Sequence, residues 1–128
     1  MTTAKPQNIT VAVRVRPLTK LELQRHSFVT VETVDETHVV VKDPDDKMGG
    51  IDYLRLDKFK TKHYCFDHVF GAESVQTEVY EKTARPLVRK AVQGYNACCF
   101  AYGATGAGKT FTMMGNLEHM GVIPLTLE

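Results

Sequence analysis

The segment Gly103-Ala-Thr-Gly-Ala-Gly-Lys-Thr110 fits the pattern G-x-x-x-x-G-K-[ST] at every fixed position. Before it runs Ala97-Cys-Cys-Phe-Ala-Tyr102, an apolar stretch of strand length, and after it Phe111-Thr-Met-Met114 can continue as a helix. A strand, a glycine turn and a helix N-terminus in that order predict a phosphate cradle. The glycines let backbone N–H groups converge on phosphate oxygens without Cβ clashes. A helix opening at Lys109 adds N–H groups that lack intrahelical partners, and the positive end of its dipole. Lys109 is then placed to reach β- and γ-phosphates, and the Thr110 hydroxyl to hold Mg²⁺. The candidate phosphate-binding residues are Gly103, Ala104, Thr105, Gly106, Ala107, Gly108, Lys109 and Thr110, with Thr110 also the candidate metal ligand.

The 128 residues are 43% apolar and 24% charged, the composition of one soluble globular domain. No apolar run reaches the roughly 20 residues of a membrane span. Met1-Thr-Thr-Ala-Lys-Pro6 lacks the apolar core of a signal peptide. Sixteen basic residues face fifteen acidic ones, so net charge points to neither nucleic acid nor membrane. Three cysteines, two of them adjacent, make no disulfide framework and no zinc spacing. They are expected to be small buried apolar residues in a reducing cytosol. His26, His38, His68 and His119 lack a paired carboxylate or nucleophile and receive no catalytic role.

Ile9-Thr-Val-Ala-Val-Arg-Val15 reads as a central strand covered on both faces and stopped by Pro17. Ser27–Glu32 and Thr37–Lys42 read as strands joined by a hairpin-sized turn, a small antiparallel lobe. Residues 43–62 are loop by composition, and His63-Tyr-Cys-Phe-Asp67 resumes a strand. Asp67 is read as a turn residue. Ser74 is the expected N-cap of a long helix whose apolar stripe includes Val75, Val79, Leu87, Val88, Ala91 and Val92. Pro86 should bend it or remove a hydrogen bond, and Gly94 should close it. A last helix is expected near Val122, with Pro124 in its first turn.

Several separated segments now match one family. They are Val13-Arg-Val-Arg-Pro17, Phe66-Asp-His-Val-Phe70, Gln76-Thr-Glu-Val-Tyr80 with Gly94-Tyr-Asn96, Phe100-Ala-Tyr-Gly-Ala-Thr-Gly-Ala-Gly-Lys-Thr-Phe-Thr-Met113, and Gly121-Val-Ile-Pro124. In this order and spacing the chain resembles the N-terminal part of a kinesin motor domain, from Ile9 to Leu127. The resemblance implies an α/β P-loop NTPase fold of the kinesin type, N-terminal half only, with a small antiparallel β lobe. Residues 1–128 would then be a partial motor domain. It also implies ATP and Mg²⁺ as cofactors and a motor that hydrolyses ATP on microtubules, in the cytoplasm on the cytoskeleton, with a coiled coil elsewhere in the parent protein. Arg14, Arg16 and Pro17 would border the adenine, and Phe111, following G-K-T, would approach the base. A proline offers a rigid apolar plate, and arginine and phenylalanine offer stacking faces.

The family's switch motifs, N-x-x-S-S-R and D-x-A-G-x-E, do not occur. No catalytic residue is therefore expected within this chain, which should turn over no ATP by itself. The segment 43–63 and Ala104-Thr-Gly-Ala107 look most like the kinesins that shorten microtubule plus ends. Microtubules are the expected partner, mainly through parts of the family's domain not matched here. Arg55, Lys58, Lys60 and Lys62 in 43–63 are candidates for an auxiliary contact, and a solvated loop is the alternative. No nucleic acid and no membrane are expected. The strand 97–102 is expected to leave an open edge that favours self-association. A nucleotide-binding or scaffold module without catalysis remains the alternative function. A small P-loop kinase or GTPase is disfavoured, because that motif would follow the first strand.

Overall fold

Of the β-branched run from Ile9 to Val15, only Ala12–Arg14 (β1) is a strand. Its partner is His68–Phe70 (β5), parallel to it, with Val13 opposite Val69. The computed structural model describes residues 9–42 and 61–128. These residues fall into two compact units. One is Val11–Ala72; the other is Glu73–Glu128 with Ile9 and Thr10.

Within the first unit, β1 is half-buried rather than covered on both faces, and Ile9 and Val11 are exposed. A central strand needs a neighbour on each side, and among the described residues β1 pairs with β5 alone. The hairpin expected next is present, with shorter strands: Val31–Thr33 (β2) runs antiparallel to His38–Val41 (β3). Its turn is built on Asp35, whose Oδ1 accepts the N–H of Thr37 at 2.7 Å and of His38 at 2.8 Å. That is the local side-chain-to-backbone bonding that makes aspartate a turn residue. Val39 and Val40 are buried.

The strand expected over His63–Asp67 is instead two. Lys62–Cys65 (β4) joins the lobe as a third antiparallel strand against β3, and β5 then crosses to β1. The switch falls at Asp67, a bend as expected, whose carboxylate accepts the Val11 N–H at 2.8 Å. Among the described residues, Phe70 is the most buried side chain, 2% exposed. After Pro17, Lys20–Gln24 (α1) forms a short helix that the sequence reading did not identify. Thr19 and Glu22 close a capping box at its start.

The second unit begins with Gln76–Val92 (α2). Its N-cap is Val75, not Ser74, so the helix starts one residue later than expected. Pro86 sits inside the helix and removes the N–H that would bond the Lys82 carbonyl. At the C-terminus Gly94 adopts φ +94°, its N–H bonds Ala91 O at 2.9 Å, and the Tyr95 N–H bonds Lys90 O at 3.1 Å. Those bonds make a Schellman cap. Val122–Leu127 (α4) packs on α2, with Val79, Ala84 and Val122 buried.

Ala97–Tyr102 is not a strand, and Phe100 and Tyr102 are 79% and 96% exposed. A strand exists through its ladder, and among the described residues none pairs with this segment. The cysteines follow: Cys65, Cys98 and Cys99 are all exposed rather than buried. No helix among the described residues is long and apolar enough to cross a membrane. Residues 43–60, with Arg55, Lys58 and Lys60, lie outside the described residues; Lys62 is exposed on β4.

Candidate functional site

The glycine segment forms a turn that runs directly into Lys109–Met113 (α3). Gly103, Gly106 and Gly108 have φ of +154°, +81° and +91°, values that side chains with a Cβ rarely adopt. Gly108 is the N-cap of α3 in the left-handed conformation. The Ala107 N–H closes the turn on Ala104 O at 3.1 Å. Lys109 folds back over it: its ammonium donates to Gly103 O at 2.8 Å and to Ala104 O at 2.9 Å. The cation is therefore fixed above the turn by the turn's own carbonyls. Thr110, exposed, follows on the first turn of α3, where backbone N–H groups have no intrahelical acceptor.

This arrangement fits a polyphosphate with Mg²⁺. It offers a held ammonium, a helix N-terminus, a hydroxyl and a concave glycine backbone. A Cβ at Gly103 would already stand 3.3 Å from Ala107 Cβ.

Two features that the sequence reading left without a role fix α3. Gln76, 6% exposed, is the buried polar side chain among the described residues. Its Nε2 donates to Phe111 O at 2.6 Å and reaches His119 O at 3.4 Å. The signal was available: Gln76, Val79 and Thr83 share one helical face, so a polar residue headed the apolar stripe. The other is a backbone clamp. Gly115 pairs with Met120 as an isolated bridge, and the Gly121 N–H bonds Met114 O at 3.1 Å. A Cβ on Gly121 would meet Met113 O at 2.6 Å.

Arg14, Arg16 and Pro17 belong to the other unit. Arg14 is half-buried, and that desolvation lowers its pKa. Pro17 is exposed. Arg16 makes a bidentate pair with Glu22, at 2.7 and 2.8 Å, and also donates to Pro17 O at 3.0 Å. Glu22 accepts the Thr19 N–H at 2.7 Å as well, so its carboxyl titrates at about 2. The hydrogen bond from Arg16 is the largest cause.

The family model of the kinesin motor domain matches residues 14–128. The chain belongs to the kinesin motor domain family. Human kinesin-like protein KIF19 is 40% identical over 125 residues, spanning 98% of this chain and 12% of its own length. KIN-8B of Arabidopsis thaliana is 42% identical over 124 residues, 97% of this chain and 15% of its own. A solved structure of KIF14 with ADP, in complex with a microtubule, superposes with a TM-score of 0.77 at 38% identity, over 92% of this chain and 31% of that one. The fold is thus a partial kinesin α/β fold, with a parallel pair and a small antiparallel sheet. The chain spans about an eighth of the length of the KIF19 relatives it matches.

Against this kinesin frame, Gly103 through Phe111 come together as one loop and helix. Phe111 is 42% exposed, with its carbonyl held by Gln76.

Proposed function

We propose that this chain is the nucleotide-binding portion of a microtubule-based kinesin ATPase. The observation that carries this reading is Lys109 held across Gly103 and Ala104 at the mouth of a glycine turn. Gly103–Thr110 hold the phosphates of ATP, and Thr110 ligates Mg²⁺. Mg²⁺ held there would supply positive charge to the phosphate oxygens. Phe111 contacts the base. Arg16 pairs with Glu22 and also donates to Pro17 O.

Support for ADP or ATP as the ligand comes from the family and from the ADP in the KIF14 structure. The same microtubule complex supports microtubules as partner and the cytoskeleton as location. The finer reading, a motor that shortens plus ends, rests on Ala104–Ala107 and the segment 43–63. Residues 1–128 by themselves turn over no ATP, because phosphoryl transfer needs positioned groups that the chain's motifs do not include. The reading is tested by titrating Mg·ATP into the wild-type protein and Lys109→Ala. Loss of at least about tenfold in affinity is expected, the scale of a hydrogen bond to a charged group. Undiminished binding would place the nucleotide elsewhere.

A further inference from the structure

We propose that Gln76 is a positioning residue of the nucleotide site, acting through α3 on Thr110 and Phe111. The inference rests on the reading of Gly103–Thr110 as that site.

α3 has five residues, too few to be stable alone in water. Thr110 O is its last carbonyl with an intrahelical partner, the Met114 N–H. Phe111 O is the first that the helix cannot serve, and Gln76 Nε2 reaches it at 2.6 Å. The same nitrogen lies 3.4 Å from His119 O, in a turn closed by the Asn116 N–H to His119 O at 3.0 Å. Asn116 Oδ1 ties that turn again by accepting the His119 N–H at 2.7 Å. The turn leads to Gly121, whose N–H returns to Met114 O. One primary amide therefore joins α2, the far end of α3 and the following turn.

Glutamine suits this place chemically. Its nitrogen carries two N–H donors and can serve two carbonyls, whereas a carboxylate would set lone pairs against both. Gln76 also opens a seventeen-residue helix that packs on α4, so the donor stands on a rigid element. The phosphate loop has glycine freedom at its upstream end and this bond at its downstream end. Releasing Phe111 O lets α3 shift, and with it the Thr110 hydroxyl and the Phe111 ring.

The test uses the full-length protein. Mg·ADP affinity is measured by calorimetry, well below the melting temperature, for wild type, Gln76→Leu, Gln76→Glu and Lys109→Ala. Both Gln76 variants are expected to weaken binding by about tenfold and to need more free Mg²⁺ for half-maximal affinity. A merely structural role would not move the Mg²⁺ dependence of a folded protein. In the wild type, Mg·ADP is expected to slow amide hydrogen exchange at 76–80 together with 111–114. Affinity within about twofold of wild type in a folded Gln76 variant, while Lys109→Ala loses binding, overturns the proposal. So does slowing at 111–114 with 76–80 unchanged, a result available even if no variant folds. If Lys109→Ala binds as wild type, the loop is not the nucleotide site and both readings fall.

Discussion

The Lys109 ammonium lies 2.8 Å from the carbonyl oxygen of Gly103, six residues earlier, so the phosphate loop is closed on itself by its own cation. The lysine side chain then has little freedom left to lose when a polyphosphate arrives. It also follows that the loop backbone and Lys109 stand or fall together.

The clamp behind α3 requires glycine. At Gly115, φ is +71°, and an added Cβ would stand 2.0 Å from His119 O and 2.4 Å from Gly121 N. Gly115→Ala should destabilise the protein by about 2–4 kcal/mol, from left-handed backbone cost plus overpacking. Gly106, with φ +81° and nothing within 4 Å of a Cβ, should cost only about 1–2 kcal/mol as alanine. Urea unfolding of the two variants checks the order; equal losses would mean that the clamp at Gly115 yields easily.

Glu22 titrates at about 2, below its ordinary 4.5, chiefly because Arg16 bonds it. A carboxylate depressed in the folded state contributes stability that is complete above its unfolded pKa and lost as pH falls through the folded one. The α1 capping box should therefore weaken between pH 4.5 and about 2. The Glu22 carboxyl carbon signal, followed by NMR, should have its midpoint near the lower end. In Arg16→Gln that midpoint should rise toward the ordinary value. A wild-type midpoint near 4.5 would show the pair is not formed in solution.

The hairpin turn depends on Asp35, whose carboxylate is held well below its usual range, first by the Thr37 N–H and next by His38. Asp35→Ala should speed hydrogen exchange at Thr37 and His38, while Val13 and Val69 in the parallel pair keep their rates. Unchanged exchange at Thr37 would assign the turn to backbone geometry alone.

Phe100 and Tyr102 stand exposed on a segment without a strand partner among the described residues. Residues 1–128 as an isolated polypeptide should therefore associate with concentration, since clustered exposed apolar side chains favour association. Sedimentation velocity checks this. A concentration-independent monomer would contradict it, and Phe100→Lys should reduce any association seen.

The parts legible in the sequence are those whose cause is local. Glycines at three positions with Lys109 and Thr110 announced the turn, because backbone conformation and residue type are tied directly. Gly94 was legible for the same reason. What was not legible depends on distant partners. Ala97–Tyr102 has the composition of a strand but lacks its ladder, so Cys98 and Cys99 are exposed. Lys62–Cys65 joins the antiparallel lobe through its ladder with His38–Val41, distant in sequence. Gln76 shares a helical face with Val79 and Thr83, but its bond to Phe111 spans 35 positions, so the partner has no local signal.

The most direct measurement is a Mg·ATP titration of the full-length protein with and without Lys109→Ala, matched for folding by circular dichroism. Binding in the wild type and a loss of at least about tenfold in the variant is the predicted result. Equal affinity in the two folded proteins would contradict the assignment of Gly103–Thr110 as the nucleotide site.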